Sequence, residues 1–245
     1  MNNALSIFKY ILITSIFTSI QSCFVNFDDH GVGCENGRGP IVTESRTLPE
    51  YSSITNAIGA NITLRQDVDQ EFRISAPENI LDNVTTQVMD GELIIDYRGC
   101  FSNASIDIFM VNPEIAGVHN VGSGDIYGGN PWQTNQLALR ITGSGNIDVE
   151  FSADFVTSEI TGSGSMELYG LVNESRIRVL GSGNIFAFNL ESIDQDIRIS
   201  GSGNCEVFAQ EVLDVTISGS GNVFYKGNPT VSTNISGSGN VMEAN

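Results

Sequence analysis

Residues 181–204 read GSGNIFAFNLESIDQDIRISGSGN, so a Gly-Ser-Gly-Asn tetrapeptide returns after twenty residues. Between residues 122 and 240 the chain contains seven copies of Gly-Ser-Gly followed by Asn, Asp or Ser, spaced 18 to 21 residues apart. We interpret their first residues as structural turn glycines: Gly122, Gly143, Gly162, Gly181, Gly201, Gly219 and Gly237. A nearly constant path length between identical turns predicts a solenoid, in which each repeat forms one coil.

Apolar and polar residues alternate on either side of each turn, as in Leu137, Leu139 and Ile141. This period of two is typical of strands with one buried face. Ile or Val stands two residues before the turn in every copy except the first, which has Asn120. We therefore predict an all-β, parallel β-helix-like solenoid, with about seven regular coils in residues 113–245. Residues 41–112 contain less regular strands, which cap or begin the single domain of residues 41–245.

The Gly-Ser-Gly turns are interpreted as corners of the coil. Glycine fits where a sharp turn or a close neighbouring backbone excludes a side chain. A phosphate-binding loop would occur once, before a helix, and calcium-binding rolls place Asp in a nine-residue repeat. Here the residue after the turn is mostly Asn, and Asp125 is the one charged member of its column. The sequence therefore predicts neither a metal site nor a cofactor.

Residues 1–22 have the features of a signal peptide, because Lys9 precedes an apolar run that is too short to span a membrane. Cys23 resembles the lipidation site of bacterial lipoproteins and is expected to begin the mature chain. The Gly- and Asp-rich residues 23–40 are expected to form a flexible, lipidated tether. These features predict attachment to a membrane through acyl chains, at the outer membrane, with the surface and the periplasmic face both open.

The chain is strongly acidic, with 29 Asp and Glu against 11 Lys and Arg and a formal net charge of −18. Binding to nucleic acid requires Lys and Arg to replace the counterions of the phosphates, so this partner is excluded. An acidic surface also repels anionic lipid headgroups, which favours anchoring by lipid rather than by charge.

Four cysteines are present, and export to an oxidising compartment permits a disulfide. If Cys23 is lipidated and Cys205 lies in a core column, the remaining pair is Cys34 with Cys100. The sequence leaves open whether these two thiols meet.

One outward column places arginines three residues before the turn. Arg178 and Arg198 stand there in consecutive copies, after Glu159 in the copy before. They form either a surface ion-pair ladder or a small site for a carboxylate or a sugar acid.

A second outward column, seven residues after the turn, holds Tyr169, Phe188 and Phe208 in consecutive copies, with Phe186 two positions nearer. A stacked aromatic stripe would pack on sugar rings or on a protein partner. The alternative is that the chain bends here and the rings fill a corner of the core.

The turns at this interval, together with the upstream segments Ile62-Thr-Leu-Arg-Gln and Asp90-Gly-Glu-Leu-Ile-Ile, resemble the auto-transporter adhesin head GIN domain family of exported Bacteroidota lipoproteins. The resemblance covers roughly residues 45–240. It implies a right-handed, single-stranded β-helix-like fold, an exported location and no catalytic residues. The first copy departs from the pattern at Val118-His-Asn-Val121, which leaves the register of that coil open.

We therefore expect a non-enzymatic lipoprotein that acts as an adhesion or binding module of the cell envelope, with a glycan or protein ligand. An envelope scaffold is the alternative, because an uncovered last coil after Asn240 would allow a homodimer. A polysaccharide-processing enzyme is the third reading, for which Asp148 and Glu167 are the paired carboxylates. The two histidines, His30 and His119, complete neither a catalytic triad nor a metal site.

Overall fold

The structure is a computed structural model that describes residues 33–244. From Cys34 onward the chain forms one compact unit, with 19 strands and one short helix in its described part. The predicted signal peptide, Cys23 and most of the predicted tether lie outside the described residues.

The bounds of these elements show short strands in the first half of the chain and long strands in the second. The strands are β1 (Glu35–Asn36), β2 (Ile41–Ser45), β3 (Ser53–Asn56), β4 (Asn61–Gln66), β5 (Glu71–Pro77), β6 (Val84–Met89), β7 (Glu92–Tyr97), β8 (Phe101–Ser102), β9 (Asp107–Asn112), β10 (Gly117–Asn120), β11 (Ile126–Gly128), β12 (Trp132–Ile141), β13 (Ile147–Ile160), β14 (Ser165–Val179), β15 (Asn184–Gly201), β16 (Cys205–Gly219), β17 (Val223–Gly227), β18 (Thr230–Gly237) and β19 (Val241–Glu243). The helix α1 (Glu78–Leu81) connects β5 to β6.

The second half of the chain forms the regular coils. Strands β12 to β16 lie side by side in parallel, each paired with the next. β16 then pairs with both β17 and β18, and β19 pairs with β17. The stack is a β-solenoid of about seven turns, which confirms the predicted all-β solenoid.

The apolar columns predicted from the repeats lie inside the coils. Ile141, Ile160, Val179, Ile199 and Ile217 are paired in register, and each is at most 2% exposed. Adjacent strands lie about 4.8 Å apart, so each side chain packs on its equivalents in the coils on either side. Burial of a side chain of this size contributes roughly 1.5–3 kcal/mol. The columns therefore supply much of the stability of the coils.

The first copy keeps the common register although Asn120 replaces the apolar residue. Asn120 pairs with Ile141 on one side and with Asn56 on the other. Both asparagines are buried, and Nδ2 of Asn56 donates a hydrogen bond of 3.2 Å to Oδ1 of Asn120. Nδ2 of Asn120 donates to the carbonyl oxygen of Gly124 at 2.6 Å. These bonds fasten the turn that follows and satisfy both groups of the Asn120 amide, whereas Oδ1 of Asn56 has no hydrogen-bond partner among the described residues.

The N-terminal strands both begin and cap the solenoid. β3 and β4 form an inner coil, with β10 and β11 parallel to them on one side and β7 and β9 on the other. β6 covers β7 and β5 covers β9, both in antiparallel pairing, and β2 pairs with β5 at this end. Antiparallel strands terminate the parallel stack and protect its edge, as the cap of a solenoid must.

The Gly-Ser-Gly turns bring the backbones of adjacent coils into direct contact. A Cβ atom added to Gly203 would lie 2.0 Å from the carbonyl oxygen of Gly183. A Cβ atom added to Gly183 would lie 2.3 Å from the carbonyl oxygen of Gly164. Any larger residue at the third position of the turn would push the neighbouring coil away, which explains why glycine recurs there.

A ladder of asparagine side chains fixes the residue after each of the later turns. Oδ1 of Asn184 accepts hydrogen bonds from the backbone N–H and from Nδ2 of Asn204, at 3.0 and 3.2 Å. Asn222 donates the same pair to Asn204, and Asn240 to Asn222. An amide is an acceptor toward one coil and a donor toward the other. This geometry accounts for the preference for asparagine without any ligand.

Replacement of Gly203 by alanine is expected to destabilise the protein by roughly 1–3 kcal/mol, because the new Cβ must displace the carbonyl of Gly183. Ser202 is exposed in the same turn, and Ser202→Ala is the matched control, expected within about 0.5 kcal/mol of wild type. Urea unfolding gives both free energies. Equal stability of the two variants would contradict the close backbone contact.

Candidate functional site

The arginine column forms in register, but its charges are already paired. Arg178 lies between Glu159 and Arg198 in the ladder. Nη1 of Arg178 is 3.9 Å from Oε2 of Glu159, and Nη2 of Arg198 is 3.3 Å from Oδ2 of Asp196. Exposed pairs of this kind contribute about 0–1 kcal/mol each. Of the two readings left open by the sequence, this face therefore has the ion-pair ladder, and an anion would have to displace its carboxylates.

Tyr169, Phe188 and Phe208 do not form the stacked stripe that equal spacing predicts. Tyr169 pairs with Asn189 instead of Phe188, and Phe208 pairs with Glu191. The register shifts because the coil that contains Phe188 is one residue longer than the coil before it and two longer than the coil after it. The surplus residues leave the ladder as a bulge.

Two of these rings instead contribute to a shallow cleft, which we call the aromatic cleft. Its volume is about 220 Å³, and its lining residues are Glu167, Tyr169, Phe186, Phe188, Asn189 and Glu206. Phe186 is 39% exposed, whereas Tyr169 and Phe188 are half-buried. Phe208 is half-buried in the next coil and is not part of the lining. Arg178 and Arg198 do not line the cleft, so the predicted binding residues do not form one site.

Carboxylates flank the exposed ring of the cleft on both sides. Glu167 pairs with Phe186 from β14, and Glu206 pairs with Phe186 from β16. The hydroxyl of Tyr169 donates a hydrogen bond of 3.0 Å to Oε2 of Glu167. The hydroxyl and the carboxylate therefore orient each other at the mouth of the cleft. The site combines apolar ring faces with hydrogen-bond acceptors at fixed positions.

The sequence contains a signal for part of this arrangement. Glu167, Phe186 and Glu206 all stand five residues after the first glycine of their turns, so their neighbourhood follows from the repeat alone. Lys226 stands seven residues after Gly219, at the same offset as Phe188 after Gly181, and its Nζ lies 4.4 Å from the centroid of the Phe188 ring in a cation–π contact. Lys226 pairs with Phe208 in the ladder, so its side chain reaches past that coil to Phe188, which lies in the register shift between Ala187 and Glu191.

Asp148 and Glu167 are neighbours in the ladder on the same outer face. Burial, and then the negative charge of Glu167, raise the pKa of the Asp148 carboxyl above its ordinary value. The folded protein thus binds this proton more tightly than the unfolded chain does. The resulting penalty is present at neutral pH and disappears as the pH falls below the ordinary range for aspartate.

We expect Asp148→Asn to raise the thermal midpoint at pH 7, because it removes the charge that is desolvated next to Glu167. The gain should shrink as the pH falls, since Asp148 is then protonated in both states. Glu150→Gln, at an exposed position in the same strand, is the control and should have little effect. A calorimetric pH series in which Asp148→Asn is never more stable than wild type would show that the Asp148 charge carries no penalty in the folded protein.

The cysteines fall in two environments. Cys34 and Cys100 form a disulfide, with Cα atoms 4.7 Å apart across a sequence separation of 66 residues. Beside it, β1 pairs in parallel with β8, so the bond fastens the N-terminal arm to the cap. Cys205 is buried in its predicted core column, and burial raises the pKa of its thiol to about 12. It therefore stays protonated and unreactive.

Residues 33–244 contain neither a metal-binding cluster nor a membrane-spanning helix. Within this range, no three His, Cys, Asp or Glu side chains are grouped closely enough to hold a metal ion. In the same range, no helix has the length and apolar character needed to cross a membrane.

The stacked parallel coils, the backbone contacts at their turns and the antiparallel cap define a β-solenoid protein. Residues 50–229 match the family model described as "Putative auto-transporter adhesin, head GIN domain". The chain belongs to this family, which confirms the resemblance drawn from its turns. No curated protein matches the chain.

Several solved structures share the fold. A putative adhesin from Bacteroides fragilis NCTC 9343 is 23% identical, with a TM-score of 0.76 over 85% of this chain and 99% of that one. A putative lipid binding protein from Parabacteroides distasonis ATCC 8503 is 26% identical, with a TM-score of 0.74 over 87% and 100%. A putative adhesin from Parabacteroides merdae ATCC 43184 is 21% identical, with a TM-score of 0.69 over 86% and 98%. The similarity thus extends over nearly the whole of each of these three chains.

Proposed function

We propose that the protein is an exported, non-enzymatic binding module of the cell envelope, and that it holds its ligand in the aromatic cleft. Acyl chains on Cys23 would anchor it at the outer membrane, and the tether would carry the solenoid away from the lipid surface. The family description and the names of the similar structures support an adhesion or binding role.

The exposed ring of Phe186 between Glu167 and Glu206 is the observation that carries the proposal. The apolar face of a sugar stacks on an aromatic ring, while its hydroxyl groups donate hydrogen bonds to carboxylates. A cleft of about 220 Å³ suits a single ring at the end of a glycan rather than the interior of a chain. A protein side chain is the alternative occupant.

The arrangement of the acidic residues supports a non-enzymatic role. A glycoside hydrolase places two carboxyl groups on either side of the scissile bond, one as acid and one as base or nucleophile. Asp148 and Glu167 stand side by side in one ladder on the outer face. They would approach a substrate from the same side, and burial together with the charge of Glu167 raises the pKa of Asp148.

Phe186→Ala is expected to weaken binding to a glycan array at least ten-fold, because it removes the exposed ring of the cleft. Phe224→Ala is the matched control, since Phe224 occupies the same outward column beyond Glu206 and does not line the cleft. The soluble protein from residue 24 onward serves for the array, because the chain from Cys34 is a compact unit. Binding that survives Phe186→Ala, or an array without bound glycans, would overturn the assignment.

A second candidate function is assembly with another copy of the chain. Val231 and Ile235 of β18 stack on Leu213 and Ile217 of the core, yet they are 37% and 41% exposed. Among the described residues β18 pairs with β16 alone, so these inward-facing side chains lack a covering coil. A second copy laid on this end would bury them, as the next coil does elsewhere in the stack.

If this end forms a homodimer, light scattering after size-exclusion chromatography should give twice the monomer mass, and Val231→Glu should give the monomer. Val212→Glu is the control, because Val212 is also 37% exposed but belongs to the outward column of Asp194. A wild-type protein that remains monomeric at high concentration would exclude this assembly.

A further inference from the structure

A second hollow lies on the solenoid, at a bend of the coils that is separate from the aromatic cleft. We call it the corner groove, and its principal lining residues are Gln133, Asn135, Asp154, Leu171, Asn173 and Gln210. Its volume is about 610 Å³. It adjoins another hollow of about 480 Å³, which shares Gln133 and Asn135 with it and extends to Gln66. None of these residues lines the aromatic cleft.

The corner groove runs along the solenoid axis, across successive coils. Gln133 of β12 pairs with Ser152 of β13, which pairs with Leu171 of β14, which pairs with Glu191 of β15. Each step advances by one strand spacing of about 4.8 Å. The side chains therefore form rungs at regular intervals under a hollow that is longer than the aromatic cleft.

The lining of the groove is mostly polar, and Leu171 and the half-buried Ile193 are its larger apolar side chains. Leu171 is 57% exposed at the centre of the groove, and its neighbours in the ladder are polar. Nδ2 of Asn173 donates a hydrogen bond of 3.0 Å to Oδ1 of Asp154, and Nε2 of Gln210 donates one of 3.4 Å to Oε2 of Glu191. Each of these amides keeps its carbonyl oxygen as an acceptor for a hydroxyl donor.

The charge of the groove selects against anionic ligands. Asp154 and Glu191 are negative, and the described residues that line the groove include neither Lys nor Arg. The groove would repel an acidic polysaccharide. A neutral polysaccharide could form hydrogen bonds between its hydroxyl groups and the carboxylates and amides of the groove, and could pack an apolar face on Leu171.

The backbone of the groove argues against an extended peptide as the ligand. Peptides that add to a sheet need a free strand edge, where unpaired N–H and C=O groups can bond to them. Here β13, β14 and β15 each have a parallel neighbour on both sides, so their ladders are already occupied. Recognition must therefore come from side chains that project outward.

We infer that the corner groove binds an internal stretch of a neutral polysaccharide, with Leu171 under a sugar ring and the surrounding amides bonded to its hydroxyl groups. This site is independent of the proposed function, because the aromatic cleft holds a terminal ring and is formed by other residues. An experiment can therefore disprove binding at one of the two sites and leave the other proposal unaffected.

Affinity electrophoresis in native gels tests the inference, with dextran, galactomannan or xylan as neutral probes and alginate as the acidic probe. The soluble protein is expected to be retarded in at least one neutral gel and not in alginate. Leu171→Arg, which blocks the groove from an exposed position, should weaken that retardation at least ten-fold. Asn173→Ala, which removes an amide of the groove, should also weaken it.

Leu180→Arg is the matched control, because Leu180 is an exposed leucine, 44% accessible, that does not line the groove. Leu180→Arg should be retarded as much as the wild type. All the variants should have the same thermal unfolding midpoint as the wild type. Absence of retardation in all three neutral gels overturns the inference, as does retardation that Leu171→Arg leaves unchanged. If Phe186→Ala abolishes the retardation and Leu171→Arg does not, the polysaccharide binds in the aromatic cleft. That outcome would support the proposed function and overturn the assignment of a polysaccharide site to the corner groove.

Discussion

The contact between backbones at the Gly-Ser-Gly turns is the constraint on which the rest of the structure depends. At Gly203 the carbonyl of the neighbouring coil occupies the place where a Cβ atom would be. Coils held this closely can form hydrogen bonds from one backbone to the next around most of their length. The turn therefore sets both the spacing of the coils and the point at which their registers are aligned.

Alignment at the turn determines what the outer surfaces can carry. Next to the turn, equivalent residues fall in register, which produces the asparagine ladder and the ion pairs of the arginine column. Farther from the turn, adjacent coils differ in length, and the extra residues form bulges that shift the register of the strands. The aromatic cleft lies beside the bulge at Phe188. The corner groove lies on strands that pair in regular register from β12 to β14, and its far end reaches the second register shift, next to Ile193 of β15.

The distance of a residue from the turn also explains which features of the structure could be predicted from the sequence. The core columns and the neighbourhood of Glu167, Phe186 and Glu206 lie within five residues of a turn, so counting from the glycine finds them. The predicted stripe of Tyr169, Phe188 and Phe208 lies seven residues away and fails, because counting assumes coils of equal length. The corner groove could not be found from the sequence, since the concave shape of its bend depends on backbone geometry that the repeat does not encode.

The arrangement of the N-terminal strands has a consequence for synthesis of the chain. β3 and β4 receive one parallel neighbour from β7 and β9 and the other from β10 and β11, all of which follow them in the sequence. The innermost coil of the cap therefore stays incomplete until residue 128 has been made. From that point each further coil pairs with the coil just before it in the sequence. The contacts thus change character partway along the chain, from non-local pairing in the cap to pairing between successive coils, and only the first kind requires the closure of long loops.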